Sequence, residues 1–441
     1  MSKDSDSNDN ANISDNNKKK RFNWKISLAG VAIFFSIVGP GIITSAVDND
    51  AGGIATYSIT GAHFGYSMLW LLVPTILLLI IIQEMSTRMG VVTGKGFSDL
   101  IRKHFGVRIT FFLMLALLAA NFGTTLAEFS GIAASSEIFG VSKFIAVPLV
   151  AFAVWFIITK YNYKSVEKIF LVGILFYVAY IVSGIMSNPN WTEIGRQMVM
   201  PSFTFNMSYL LMAIAFIGTT IAPWQQFYIQ ASVVEKKITM KDYKYTRWDV
   251  VFGGIIVGVI AFFIIIATAA TIYPTGNRIN DAADAALALK PLAGDFAGYV
   301  FAFGLFISSF FAAAILPLST AFYVSEGFGW ERGVDKKFNE APKFYWMYSL
   351  LIIISASIIL IPGIPYIPIM IISQVICGIL LPFVLIFMLK IINNKDVMGE
   401  HTNGRIFNIV AWISCIIMIT LSTLLVVSAV FPEAITILVP A

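Results

Sequence analysis

VDNDAGGIAT, residues Val47 to Thr56, stands inside a run of otherwise apolar sequence. It carries aspartates at 48 and 50 and glycines at 52 and 53, where an uninterrupted membrane helix would carry aliphatic side chains. Glycine weakens a helix interior. An ionised carboxylate at the bilayer centre costs about 2.5–3.5 kcal/mol on insertion scales. Residues this costly face a cavity rather than lipid, and they mark a path for ions or protons.

The surrounding sequence is membrane sequence. Hydrophobic residues make up 58% of the chain and charged residues 12%, which excludes an ordinary soluble globule. Runs such as LLVPTILLLIIIQ and GGIIVGVIAFFIIIATAATIY are long enough to cross a hydrocarbon core of ~30 Å. The short alternating segments of a β-barrel are missing from the pattern. Windowed hydropathy predicts an all-α polytopic protein with about eleven spanning segments: 27–62, 66–88, 108–139, 143–160, 165–186, 207–234, 248–273, 296–328, 343–362, 366–391 and 405–431. Residues 1–25, polar and without an apolar core, are expected to form a disordered cytoplasmic tail. Residues 26–441 read as a single transmembrane domain. Cys377 and Cys415 fall inside apolar segments without ligand spacing and read as small buried hydrophobes.

Charge along the loops gives an independent check on that count. With the N-terminus inside, only Lys143, Arg196, Arg278 and Lys290 of the 30 basic residues fall outside, as the positive-inside rule requires. A missed helix would scramble the alternation. The basic balance is therefore a consequence of topology and needs no nucleic-acid partner. An odd segment count places the C-terminus outside, in a multi-pass cell-membrane protein.

Segment six holds a second interruption, GTTIAPWQQ, Gly218 to Gln226, with Pro223 well inside it. Proline removes a backbone donor and clashes with the preceding turn. Segments one and six are five apart, the spacing of an inverted repeat of five helices. Interrupted helices at matching places in two halves point to a transporter's substrate site. The acids at depth are Asp48, Asp50 and Glu128, while Glu84, Glu137, Glu167 and Glu326 lie near segment ends and read as water-accessible. No lysine or arginine lies at depth to neutralise the aspartates, so the missing countercharge is expected to be a cationic substrate. Asn49, Thr219, Thr220, Gln225, Gln226 and Gln374 supply further polar groups. His63, His104 and His401 lie at segment ends or in loops, and neither cysteine flanks a break. A donor set of carboxylate, amide, hydroxyl and carbonyl oxygen suits Mg²⁺, Ca²⁺, Mn²⁺ and monovalent ions.

GPGIITSAVDNDAGGIAT resembles the first helix of the Nramp divalent-metal transporters, in which GPG is followed after eight residues by DPGN. The resemblance continues through TGAHFGYSMLW, RMGVVTGKGFSDLIRKHFG, the LAE ending at Glu128, and SQVICGILLPFVLI. It covers nearly the whole chain. It implies a LeuT-like fold, with repeat one at 27–186, repeat two at 207–391 and an eleventh helix at 405–431. Asp50 takes the position of the family's metal-binding aspartate, and Gly53 that of its metal-binding asparagine. The family's A-x-x-M-P-H reads Thr219-Thr220-Ile221-Ala222-Pro223-Trp224 here, so Ala222 stands in place of a metal-binding methionine and Trp224 in place of a histidine. Glu128 matches a glutamate linked to proton movement, but Thr125 replaces a nearby aspartate.

These departures imply a harder site. Thioether sulfur favours softer metals, and alanine removes that preference. Glycine at 53 is expected to leave room for the waters that Mg²⁺ retains. The chain thus resembles the magnesium-transporting branch of the family. Asp50 is the expected main ligand, with Asp48 assisting, the carbonyls of Val47 and Thr219 and the amide of Gln374 completing the shell, and Gly53 and Ala222 shaping it. Asn49, Thr220, Gln225, Gln226 and Glu128 are expected around it, as second shell or as a residual proton path. The expected activity is uptake of Mg²⁺, and of Mn²⁺, by alternating access without a proton. No cofactor, nucleic acid or obligate protein partner is expected, only the transported ion and the lipid bilayer. Three other readings remain: a proton-coupled Mn²⁺/Fe²⁺ carrier, a carrier of small organic solutes, and an intramembrane enzyme. Against the last, the sequence holds no HExxH and no G-x-S-x-G.

Overall fold

A computed structural model describes residues 40–160, 177–203, 206–290, 294–334 and 336–430. They belong to one compact unit, Ile37–Ala441. The expected tail at 1–25, the start of segment one, the first half of segment five and Glu167 lie outside the described residues.

The regular secondary structure of the described residues is helix, because a helix satisfies its own backbone where lipid cannot. The first segment is split into α1 (Pro40–Asp48) and α2 (Ala51–Phe64). There follow α3 (Leu72–Thr93), the short α4 (Phe97–Phe105), α5 (Val107–Ile138), α6 (Lys143–Lys160), α7 (Val178–Met186) and the short α8 (Trp191–Val199). The sixth segment is split into α9 (Met207–Thr220) and α10 (Pro223–Glu235). Then come α11 (Tyr243–Thr271), the single turn α12 (Ala282–Ala286), α13 (Ala297–Phe328), α14 (Pro342–Ile359), α15 (Tyr366–Ile392), the single turn α16 (Lys395–Met398) and α17 (Arg405–Val430). Nine helices among the described residues are long and apolar enough to cross a membrane, with α9 and α10 counted as one. Most of their limits follow the sequence reading to within about three residues, but α3 runs on to Thr93 where the reading ended at 88, and α11 starts at Tyr243 rather than at 248.

Side-chain caps set several of these ends. Asn206 Oδ1 accepts from Tyr209 N at 2.7 Å to start α9, and Asn190 Oδ1 accepts from Glu193 N at 3.1 Å to start α8. Each cap fills one of the amides left open at a helix N-terminus. In the core, α13 lies along α5, α15 crosses α9 and α5, and α11 packs on α1, α2 and α3. The α9–α15 crossing depends on small residues: a Cβ at Gly218 would strike the Gln374 carbonyl, and one at Gly378 would strike the Ile214 carbonyl. Close helix approach through glycine is how membrane helices gain van der Waals contact where lipid offers no hydrophobic drive.

Burial overturns part of the sequence reading. Glu326 is buried, not water-accessible, and pairs with Arg332 at 2.7 Å. Glu84 is buried too, held by Arg88 at 3.2 Å and by the Tyr243 hydroxyl. Glu137 is the exposed one, accepting from Tyr366 OH at 3.0 Å. Asp249, not picked out in the sequence, extends the inventory of buried acids, and α11, which begins at Tyr243 rather than at 248, places it more than a turn inside the helix. Its Oδ2 accepts from Gly41 N at 2.7 Å and so caps the start of α1. Lys143, read as a loop charge, is buried, and donates to the carbonyls of Ile359 and Ile361 at 3.0 Å each, at the end of α14. A cation there completes the last turn of a helix whose carbonyls carry the negative end of its dipole.

Candidate cation site at two helix breaks

The first break can be followed amide by amide. An unbroken helix would pair Ala51 N with Val47 O and Gly53 N with Asn49 O. Instead Ala51 N donates to Glu128 Oε2 at 3.2 Å, and Gly53 N donates to Asp50 Oδ1 at 2.6 Å. The helix resumes with Ile54 N on Asp50 O at 2.8 Å. Asp50 is thus the N-cap of α2, in extended backbone geometry, where the helix dipole favours its charge. The Val47 carbonyl loses its helical donor. The Asn49 carbonyl is taken by Tyr177 OH, at the start of α7, at 2.8 Å.

The second break follows from Pro223, which has no N–H for the Thr219 carbonyl. Ile221 N still closes α9 on Ile217 O at 2.8 Å. Ala222 is extended and caps α10 without a side-chain bond. With its amide turned to satisfy both ends, Gln226 donates to Ala222 O at 2.8 Å and to Pro223 O at 2.7 Å, so it serves its own helix. Gln225 instead crosses to the first break. Its Nε2 donates to Asp48 Oδ1 and reaches Thr220 O at 3.4 Å. Tyr57 OH and Thr220 Oγ1, 2.8 Å apart, tie α2 to the end of α9.

Between the breaks oxygens converge. A Cβ built on Gly53 would lie 2.8 Å from Asp48 O, 3.3 Å from Thr219 Oγ1 and 3.4 Å from Asp50 Oδ1. The absent side chain is therefore the space three oxygens share. A backbone carbonyl closes it on one side, so the arrangement is tighter than the wide, wet pocket expected from the glycine alone. Gln374 lies against the same turn, since a Cβ at Gly52 would strike its amide. Several polar atoms here have no hydrogen-bond partner: Asp48 Oδ2, both amide atoms of Asn49, Thr219 Oγ1 and Glu128 Oε1. Such buried atoms each cost about 1–3 kcal/mol. A cation would satisfy the oxygens among them.

The electrostatics favour positive charge. Asp48 is 2% exposed, Asp50 5% and Glu128 0%. None of them forms an ion pair with a basic residue among the described residues. Nor do any three His, Cys, Asp or Glu side chains among those residues gather as a metal-binding cluster. The charged groups at the breaks are the carboxylates of Asp48, Asp50 and Glu128, and the other polar groups are amide, hydroxyl and carbonyl. Trp224, in the histidine's place, is buried against Tyr228 with ring centroids 6.0 Å apart. Cys377, one turn beyond Gln374, is buried.

Comparison with known proteins fixes the family. The profile described as Natural resistance-associated macrophage protein-like matches residues 41–428.

The chain belongs to the Nramp family. This Nramp protein is a membrane transporter rather than an enzyme, and its metal is cargo rather than cofactor. It is similar to a solved manganese transporter of Eremococcus coleocola, crystallised with an aromatic bis-isothiourea substituted compound, at 18% identity and TM-score 0.74, over 92% of this chain and 90% of that one. It is also similar to Mhp1, a nucleobase-cation-symport-1 family transporter in a closed conformation with bromovinylhydantoin bound, at 14% identity and TM-score 0.56, over 91% and 94%. A third likeness is to MhsT in complex with L-phenylalanine, at 15% identity and TM-score 0.53, over 88% and 98%. These matches show the LeuT-like fold, two inverted five-helix repeats and an eleventh helix, with the first and sixth broken.

The structure draws Asp48, Asn49, Asp50, Gly53, Thr219, Thr220, Gln225, Gln374 and Glu128 of this Nramp protein to the two breaks, with Val47 and Ala222 as backbone at their edges. Three residues joining them were missed in the sequence: Tyr57, Tyr177 and Gln83. Gln83 Nε2 donates to Gln225 Oε1 at 3.1 Å. Its signal was legible, since one amide ends the apolar run LLLIIIQ. The tyrosines carried none, because buried tyrosine is ordinary.

Proposed function

We propose that this divalent-metal transporter carries Mg²⁺, and passes Mn²⁺ as well, by alternating access at the two breaks. The observation that carries this reading is Ala222 at the cap of α10, beside a site of oxygen donors. A methionine there would add a soft ligand, and alanine leaves carboxylate, hydroxyl and carbonyl oxygen, the set Mg²⁺ prefers. Asp50 is the principal anionic ligand. Asp48, by its carbonyl and free carboxylate oxygen, and Thr219, by its hydroxyl and Pro223-freed carbonyl, flank it. Gln374 and the Val47 carbonyl complete the shell.

Uptake is driven by the membrane potential. It supplies about 2.3 kcal/mol per charge per 100 mV, so about twice that for a divalent ion. The orientation that fits the basic loops has the N-terminal tail, residues 1–25, in the cytoplasm and the C-terminus outside, in a cell membrane. Residues 26–441 then act as one transport domain. A second reading, proton-coupled Mn²⁺/Fe²⁺ transport, is favoured by Glu128, whose carboxylate lies against the Ala51 amide at the same break.

One experiment separates the two. Purified protein in liposomes is given an inside-negative potential, with Mg²⁺ or Mn²⁺ outside, with and without a pH gradient. The proposed function expects uptake of both ions, unchanged by the gradient and without proton entry. Proton entry in step with Mn²⁺, with Mg²⁺ excluded, establishes the second reading instead.

A further inference from the structure

We propose that Gln83 is a specificity-determining positioning residue, which holds the Asp48 carboxylate so that it offers a cation one oxygen. The inference rests on the reading of Asp48 as a ligand of the transported ion. Gln83 lies on α3, is fully buried, and belongs to neither broken helix. Its Nε2 donates to Gln225 Oε1 at 3.1 Å, and Gln225 Nε2 donates to Asp48 Oδ1. The carboxylate fixes the direction of the whole chain. An ionised Asp48 only accepts, so Gln225 must turn its nitrogen to Asp48 and its oxygen to Gln83. Gln83 must then present its own nitrogen. Its Oε1 is left buried without a partner, as is Asp48 Oδ2.

The consequence for binding is geometric. With one lone pair of Oδ1 given to Gln225, Oδ2 is the oxygen with no competing partner for the cation. Ca²⁺ accepts carboxylates in mono- or bidentate fashion at a flexible distance, whereas Mg²⁺ requires a near-octahedral shell of single oxygens. A one-oxygen Asp48 keeps the octahedral arrangement and denies Ca²⁺ a bidentate ligand. Cutting the amide chain frees Asp48 to turn and bind through both oxygens. The anchor is also well placed for this role, because Gln83 reports the position of α3 to a carboxylate on the broken helix.

The test uses the whole protein in liposomes at an imposed potential, measuring Mn²⁺ uptake in competition with Mg²⁺ or Ca²⁺. Gln83→Met keeps length and removes the donor. It is expected to raise the Mg²⁺ inhibition constant about 10- to 100-fold, leave maximal Mn²⁺ uptake within about twofold, and improve Ca²⁺ competition relative to Mg²⁺. Gln83→Glu faces Gln225 with an acceptor and is expected to lose more. In an Asp48→Asn background, Gln83→Met should add little, because both changes cut one chain. A wild-type Mg²⁺-to-Ca²⁺ ratio in Gln83→Met, or an equal loss in both backgrounds, overturns the proposal. Gln225→Leu cuts the same chain one link nearer, so an unchanged ratio there overturns it even where a Gln83 variant fails to fold. Wild-type vesicles that move no divalent cation overturn the functional reading itself, and the Gln83 assignment with it.

Discussion

At the first break the amides that lose their helical acceptors are taken by carboxylates, Gly53 by Asp50 and Ala51 by Glu128. At the second, a proline removes the donor in advance, and Gln226 returns to the carbonyls of its own turn. The first break concentrates negative charge, and the second presents neutral oxygens. An inverted repeat therefore does not make its halves chemically equal. On the proposed function, the first half attracts the cation. The second shapes its shell, with Ala222 where the resemblance implies a methionine. Gln225 and the Tyr57–Thr220 contact link the two breaks directly.

Substitutions rank by how much of that asymmetry they remove. Asp50→Ala removes the charge and the α2 cap together. Uptake is expected to disappear while protein still reaches the membrane, and retained Mg²⁺ transport would mean that the charge sits elsewhere. Gly53→Ala fills the space the oxygens share, with its Cβ 2.8 Å from Asp48 O. Overpacking costs about 1–3 kcal/mol, expected as roughly a 5- to 150-fold weaker apparent affinity, and unaltered uptake kinetics would remove Gly53 from the site. Ala222→Met restores a soft donor to the neutral half. It is expected to favour Mn²⁺ over Mg²⁺ by about tenfold, or about 1.4 kcal/mol, in competition assays, and an unchanged preference defeats the softness account. Tyr57→Phe breaks only the hydroxyl bridge between the halves. It should lower stability by about 1 kcal/mol in a thermal melt and leave ion preference unaltered, so an altered preference would give Tyr57 a part in selection.

The spanning segments and both breaks were legible in sequence, since each rests on local chemistry. Apolar length sets a span, Pro223 withholds a donor, and Asp50 is a capping residue next to two glycines. Misjudged residues share a different cause. Glu326 and Glu84 sit at segment ends, where water is the default partner, and only packing shows that Arg332, Arg88 and Tyr243 take its place. Asp249, at the edge of the segment read as 248–273, was not picked out, because only packing brings the Gly41 amide to it. Gln226 and Gln225 are neighbours of one type, yet one serves its own turn and the other crosses to Asp48.

By itself the sequence determined a multi-pass helical transporter of the Nramp family, with acids at depth and no fixed positive charge beside them. Those follow from composition, periodicity and motif, properties that neighbours along the chain impose. Only the tertiary structure decided which oxygens share one space, and that Gln83, distant in sequence from both Gln225 and Asp48, completes their chain. Hydrogen-bond partners across 142 and 177 residues are fixed by how helices pack, and no local pattern carries that information.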